Sequence, residues 1–330
     1  MTTQGARSSP AYAEQIRGLD RELRARRGRG PQVAAALLLL GGIALLSLMG
    51  KCAHVPGGRA RAGLGVLLAV SFALWEMAGY VRGRRFAAGF YGEMLPAALG
   101  EAYAAYAPRP GAPDPSFFDP AEGWRLPTTV TSLVLSMGGP SFRAQGVYRI
   151  RREYLRAGNA LGSEGDGESG HYRISQDLIW RVRTRGHVPF RLSLRTSSGT
   201  VGETVSGMFG KACDRMLRSG MRDVRTGDDA FDRGFRVRAD DVERAGPLLR
   251  AYGRRLAELR DNMGRFSMEY AGDTLSLSFS DFAPIDTADS NGVRRTGLPN
   301  GLSAERVEQS ARELDFLAGW LRSFVTMDTG

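Results

Sequence analysis

Two apolar runs close to the N-terminus, residues 33–49 and 63–81, constrain this chain more than any other feature. A helix needs ~20 predominantly apolar residues to cross the hydrocarbon core of a bilayer, and each run comes close to that length. The first begins after Pro31 and holds no charged residue; its Gly41 and Gly42 are weak helix formers in water but common in transmembrane helices. A secretory signal would be followed by a small-residue cleavage site. A lipoprotein would carry a small residue before its Cys, whereas Cys52 follows Lys51. The second run carries one acid, Glu76, close enough to Arg82, Arg84 and Arg85 for its carboxylate to reach water or a cation. The expectation is a transmembrane helical hairpin over 32–82; the alternative is one spanning helix with one interfacial helix.

Basic residues orient that hairpin. Arg7, Arg17, Arg21, Arg24, Arg26, Arg27 and Arg29 precede it and Arg82, Arg84 and Arg85 follow it, against Lys51, Arg59 and Arg61 in the connecting loop. The positive-inside rule then places both termini in the cytoplasm. The net charge of +10 would invite a nucleic-acid reading, but residues 82–330 carry 35 cations against 31 acids. More than half of the excess sits beside the apolar runs, where anionic headgroups account for it, so nucleic acid is not favoured. Cys52 and Cys213 have no metal or disulfide spacing, and the two would face different compartments.

Composition divides the rest. Within the basic segment 1–31, Ile16, Leu19 and Leu23 recur at helical spacing among arginines, the pattern of a short amphipathic helix lying on the membrane surface. Residues 83–127 read as a juxtamembrane helix and then a spacer stiffened by Pro108, Pro110, Pro113, Pro115, Pro120 and Pro127, holding a domain off the bilayer. Residues 128–330 read as a cytoplasmic α+β domain, an antiparallel sheet with packed helices. Gly158 to Gly170 and Asp286 to Gly301 read as mobile loops.

Inside that domain, residues 128–136 form a β-branched strand. Trp180, Val182 and Thr184, then Phe190, Leu192 and Leu194 beyond Gly186, predict a hairpin with one apolar and one arginine-rich face. A helix follows over 205–217 with Gly220 as its cap, and Phe235, Val237 and Ala239 mark a third strand. Asp240 and Asp241 open a helix striped by Leu249, Tyr252, Leu256, Leu259 and Met263. Residues 266–270 and 275–279 flank Ala271-Gly272-Asp273 as a second hairpin, and Ser303 caps a last helix.

The stretch from Thr226 to Asp241, with Phe231, Phe235, Val237, Asp240 and Asp241, followed by Leu248 and Leu249, resembles the bacterial membrane-protein family known as domain of unknown function 3137. The resemblance is best over 226–325. It implies a helical hairpin followed by a cytoplasmic domain, integral to a bacterial inner membrane, and it lends no catalytic residues or cofactor.

Enzyme signatures fail one by one. Gly210-Lys211 lacks both the first glycine and the hydroxyl of a phosphate loop, and neither a nucleophile elbow nor a zinc-binding H-E-x-x-H occurs. His171 and His187 fall beside a loop and in a turn. Asp228, Asp229, Asp232, Asp240 and Asp241 lack the glycine and terminal glutamate of a calcium loop and suit caps and turns instead. No catalytic, cofactor or metal residue is therefore assigned. The candidate site is a surface: Arg181, Arg183, Arg185, Arg191, Arg195, Arg236 and Arg238 fall on the non-core side of three strands, suited to anionic headgroups or an acidic protein, or else solvated and acid-paired. Phe316 and Trp320 lie opposite Leu314 and Leu321 on the last helix, which is either sandwiched or exposed to a partner. The expected function is a membrane-anchored interaction or scaffolding module. The alternative is a tethered hydrolase or ligand-sensing enzyme; oligomeric state is not set by the sequence.

Overall fold

The computed structural model describes residues 10–27, 85–118, 128–139, 141–155, 171–197, 220–287, 293–294 and 298–327. The apolar runs 33–49 and 63–81, the helix expected over 205–217, and both cysteines lie outside them. Among the described residues no helix is long and apolar enough to cross a membrane.

The α+β expectation holds, with eight antiparallel strands in one sheet among the described residues. They are β1 (Arg109–Pro110), β2 (Thr129–Gly139), β3 (Phe142–Leu155), β4 (His171–Thr196), β5 (Arg222–Val224), β6 (Phe235–Ala239), β7 (Phe266–Phe279) and β8 (Val293–Arg294). The helices are α1 (Pro10–Arg27), α2 (85–102), α3 (Asp229–Gly234), α4 (Val242–Met263) and α5 (Ala304–Met327). β4 organises the sheet. Along one edge it pairs first with β3 and then with β6; along the other it pairs with β8 and then β7.

Both expected hairpins are wrong, for one shared reason. β4 and β7 are each a single long strand, and the glycine-centred turn signals meet across the ladder as one irregularity. Between the pairs Arg183↔Thr274 and Val188↔Gly272, β4 advances five residues while β7 moves two; from Val188 to Arg191 it advances three against one. The surplus residues of β4 bulge at the level of Gly272, whose φ of +61° is the left-handed geometry that glycine adopts freely. Even-numbered residues keep facing the core on both sides of the bulge, as Trp180, Val182, Leu192 and Leu194 are all buried.

The helices cover that face. Asp241 caps α4 by accepting from Arg244 N at 3.1 Å, and Ser303 Oγ caps α5 by accepting from Arg306 N at 3.1 Å, both as the sequence predicts. Leu249, Leu256, Leu259 and Met263 of α4 enter the core with Leu314 and Leu321 of α5. In α2, a π-turn over Phe90–Met94 inserts an extra residue per turn, and the adjacent Phe90 and Tyr91 are both buried.

Two expectations for the N-terminal third are corrected here. The apolar stripe of α1 does not lie on a membrane: Ile16 and Leu23 are fully buried in the same core as β4, α2 and α5. The proline-rich stretch does not act as a spacer, at least as far as residue 118. β1 pairs with β2, Pro113 and Phe118 are buried, and Gly111 N donates to Ser132 O at 3.4 Å. The folded unit thus starts well before residue 128. The second expected loop is pinned in part, through a bridge between Asp286 and Gly301 and the burial of Leu298.

Helix directions follow from contacts. Tyr103 and Tyr106 meet Ser310 and Asp315, so α2 and α5 run in parallel. Tyr12 OH donates to Ala98 O at 3.2 Å, and Asp20 Oδ1 accepts from Leu302 N, ahead of α5. α1 therefore runs antiparallel to α2, and its last residue, Arg27, ends where α2 begins.

Candidate functional site

All seven candidate arginines do fall on the face of the sheet opposite the helices, because residue parity in β4 and β6 dictates it. The register sets them in rows. Arg183 stands beside Arg143 of β3, Arg181 beside Gln145, and Arg195 beside Arg236; Arg238 lies opposite Ser193, whose other neighbour is Glu269. Nothing in the sequence marks Arg143 as part of this row, because only the fold sets β3 beside β4.

The face is not a uniform cationic plane. Residues 111–118 cross it as a strap beyond β1. Arg181 Nη1 donates to Phe117 O at 3.1 Å while its guanidinium lies 5.1 Å from the ring centre of Phe118. Arg183 donates to Ser116 O and sits 5.7 Å from the ring of Phe117. Asp114 N donates to Gln145 Oε1 at 2.7 Å, and the Asp114 carboxyl is held below its usual range chiefly by the Ser116 backbone N–H. Arg181 and Arg183 are thus fasteners of the strap, and cation–π contact with two phenylalanines adds to their carbonyl bonds.

Nearer the β3–β4 tip, the same face holds Arg149 paired with Asp177, at side-chain exposures of 10% and 13%. At the other end, Arg238 Nε donates to Asp223 Oδ1 at 2.9 Å, and this bond is the main reason that the Asp223 pKa lies low. Arg185, Arg191 and Arg236 are exposed and form no ion pair among the described residues. Together with exposed Arg195 they line the half of β4 remote from residue 171 and the adjoining β6.

The remaining candidates resolve as structure. Trp320 is buried, stacks on Phe324 at 4.6 Å and donates its indole N–H to Arg255 O at 2.9 Å; Phe316 is half-buried against the core. That helix is sandwiched, so the pair does not form a free partner patch. The aspartates hold backbone. Asp228 caps α3, Asp240 accepts from Arg191 N, and Asp232 accepts from Thr226 N, Thr226 Oγ1 and Gly227 N, with the Thr226 backbone bond leading the depression of its pKa. His171 and His187 both lie within β4. Of the motif residues, Phe231 and Phe235 meet at 4.7 Å with their rings tilted by 33°, and Phe235, Val237 and Leu249 are core. The motif is a packing device.

No protein-family profile matches the chain, and no curated protein matches it.

Proposed function

We propose that this chain is a membrane-anchored interaction module: a helical hairpin over 33–49 and 63–81 holds it in a bilayer, and the exposed arginines along the distal half of β4 and on β6 dock an acidic protein. The anchor reading is supported by the fold itself. Residues 28–84 leave from the end of α1 and return at the start of α2, and both helices are packed in one core. A segment that leaves and re-enters the same folded unit crosses a bilayer an even number of times, as a hairpin does. The resemblance carried by Phe231, Phe235, Val237, Asp240, Asp241, Leu248 and Leu249 points the same way.

The observation that carries the docking reading is that Arg185, Arg191 and Arg236 are exposed on one face of the sheet and form no ion pair among the described residues. Exposed cations held on one rigid face set up a field that draws an acidic partner. Distance favours a protein over the anchoring bilayer's headgroups. Arg185 is thirteen residues along β4 from Tyr172, roughly 40 Å at ~3.3 Å per strand residue, and Tyr172 lies at the end where α1 and α2 open toward the apolar runs.

Two experiments test the proposal. A membrane-impermeant thiol reagent on intact cells should label Cys52 and spare Cys213; labelling of Cys213 alone would invert the topology. The full chain in neutral detergent should bind a fluorescent polyglutamate peptide, more weakly as salt rises. A variant with Arg185→Glu, Arg191→Glu and Arg236→Glu should lose that binding and keep its thermal melt. Equal binding by parent and variant would remove the cluster from the function.

A further inference from the structure

We infer that Tyr154 and Tyr172, where the β3–β4 pairing ends, form with the start of α2 a membrane-contact surface, on which the two tyrosines, braced by Arg152, rest the domain against the headgroup layer of the bilayer that the hairpin enters. This rests on the hairpin reading above and adds the surface and orientation of contact. The starting observation is Tyr154, 54% exposed, which stands out among the described residues as a large exposed hydrophobic side chain in a fold whose other aromatics are largely buried. Its ring meets Tyr172 at 5.2 Å, and the Arg152 guanidinium lies 5.1 Å from the Tyr172 ring centre and 6.0 Å from that of Tyr91.

The contacts of Tyr91 place this cluster relative to the chain's exit points. Tyr91, near the start of α2, meets Arg152, whereas Tyr103, at the other end of the helix, meets Tyr148 through Phe282 at 6.4 and 5.7 Å. α2 therefore runs opposite to β3. Its first residues, exposed Arg85 and half-buried Phe86, lie at the level of Tyr154, and the antiparallel α1 brings Arg27 to the same end. The two points where the chain leaves for the apolar runs and returns from them thus flank the tyrosine pair. The bilayer that receives those runs must begin there.

The chemistry fits that location. Tyrosine has an apolar ring and a polar hydroxyl, and it concentrates at the membrane interface for that reason, as arginine does by extending its charge to phosphates. The residues joining β3 to β4 include Glu164, Asp166 and Glu168, so net charge does not drive the contact. The tyrosines and the geometry of the exits do.

The test uses the full chain with Cys52→Ser and Cys213→Ser, reconstituted in phosphatidylcholine–phosphatidylglycerol vesicles and spin-labelled at Tyr154→Cys, at Arg85→Cys, or at Arg254→Cys as the remote control. Arg254 is 93% exposed and lies next to Arg255, which contacts Trp320 in the distal half of α5. If the inference is right, labels at 154 and 85 are several-fold less accessible to a water-soluble nickel chelate than the label at 254, and more accessible to oxygen. If the chain survives an alkaline carbonate wash while all three labels are equally open to the chelate, this inference is overturned and the hairpin stands. If the chain washes off the vesicles, the hairpin reading falls and this inference falls with it.

Discussion

Gly146 and Trp180 are direct partners across the β3–β4 ladder, and a Cβ built on Gly146 would stand 2.5 Å from the indole Cε2 of Trp180. The indole is fully buried and lies flat over the glycine, so it has no room to give. Gly146→Ala should therefore overpack the centre of the sheet and cost about 1–3 kcal/mol. Chemical denaturation of the full chain in detergent reads this directly. An unchanged midpoint would mean that Trp180 can shift without loss.

The ion pair between Arg149 and Asp177 lies on the strap face yet is nearly shielded from solvent. Asp177 is the carboxylate that both Arg149 and, at 3.9 Å, Arg151 approach, so removing it takes the countercharge away from two guanidinium groups at once. Asp177→Asn should cost on the order of 3–5 kcal/mol, and replacing both residues with leucine should cost less than the single change. If the double variant is the less stable one, the pair is a net stabiliser and the shielding is incomplete.

How much of this was legible in the sequence depends on whether a signal was local. Caps at Asp241 and Ser303, the α4 stripe and the alternation of β4 follow from backbone and burial rules acting over a few residues, and all are found. Gly186 and Gly272 were legible as irregularities, but whether a glycine turns a strand back or only bulges it is decided by what pairs alongside. Here β3, β6 and β7 supply partners along β4 on both sides of the bulge, which a free hairpin would lack. The arginine face was placed correctly by parity. That residues 111–118 would fasten Arg181 and Arg183 was not readable, since the strap is linked to them through contacts more than sixty residues apart.

Asp232 provides a pH signature. Its carboxylate accepts from the Thr226 backbone and hydroxyl and from Gly227 N, bonds that favour the ionised form and hold its pKa below the usual value. A group with a depressed folded pKa contributes stability above its unfolded value, ~3.9 for aspartate, and loses that contribution as pH falls through the folded value. Asp232→Asn should accordingly be less stable than the parent at neutral pH, with the gap closing below about pH 4. A gap of constant size across that range would assign the effect to side-chain geometry alone.

Charge placed in the α1 stripe separates a helix of the folded core from a helix lying on a membrane. Ile16 has no exposed surface and packs in the cluster that holds Leu23, Tyr12 and the residues of α2 and α5. Ile16→Asp buries a carboxylate with no partner, and the cost, several kcal/mol, is a large part of the 5–15 kcal/mol that stabilises an ordinary domain. The expected result is a melt lowered or no longer cooperative in neutral detergent, where no anionic surface is present. Glu22→Lys, on the exposed side of the same helix, should leave the melt alone. If Ile16→Asp melts like the parent in detergent and only weakens sedimentation with anionic vesicles, α1 belongs to the membrane surface, and the folded unit begins at α2.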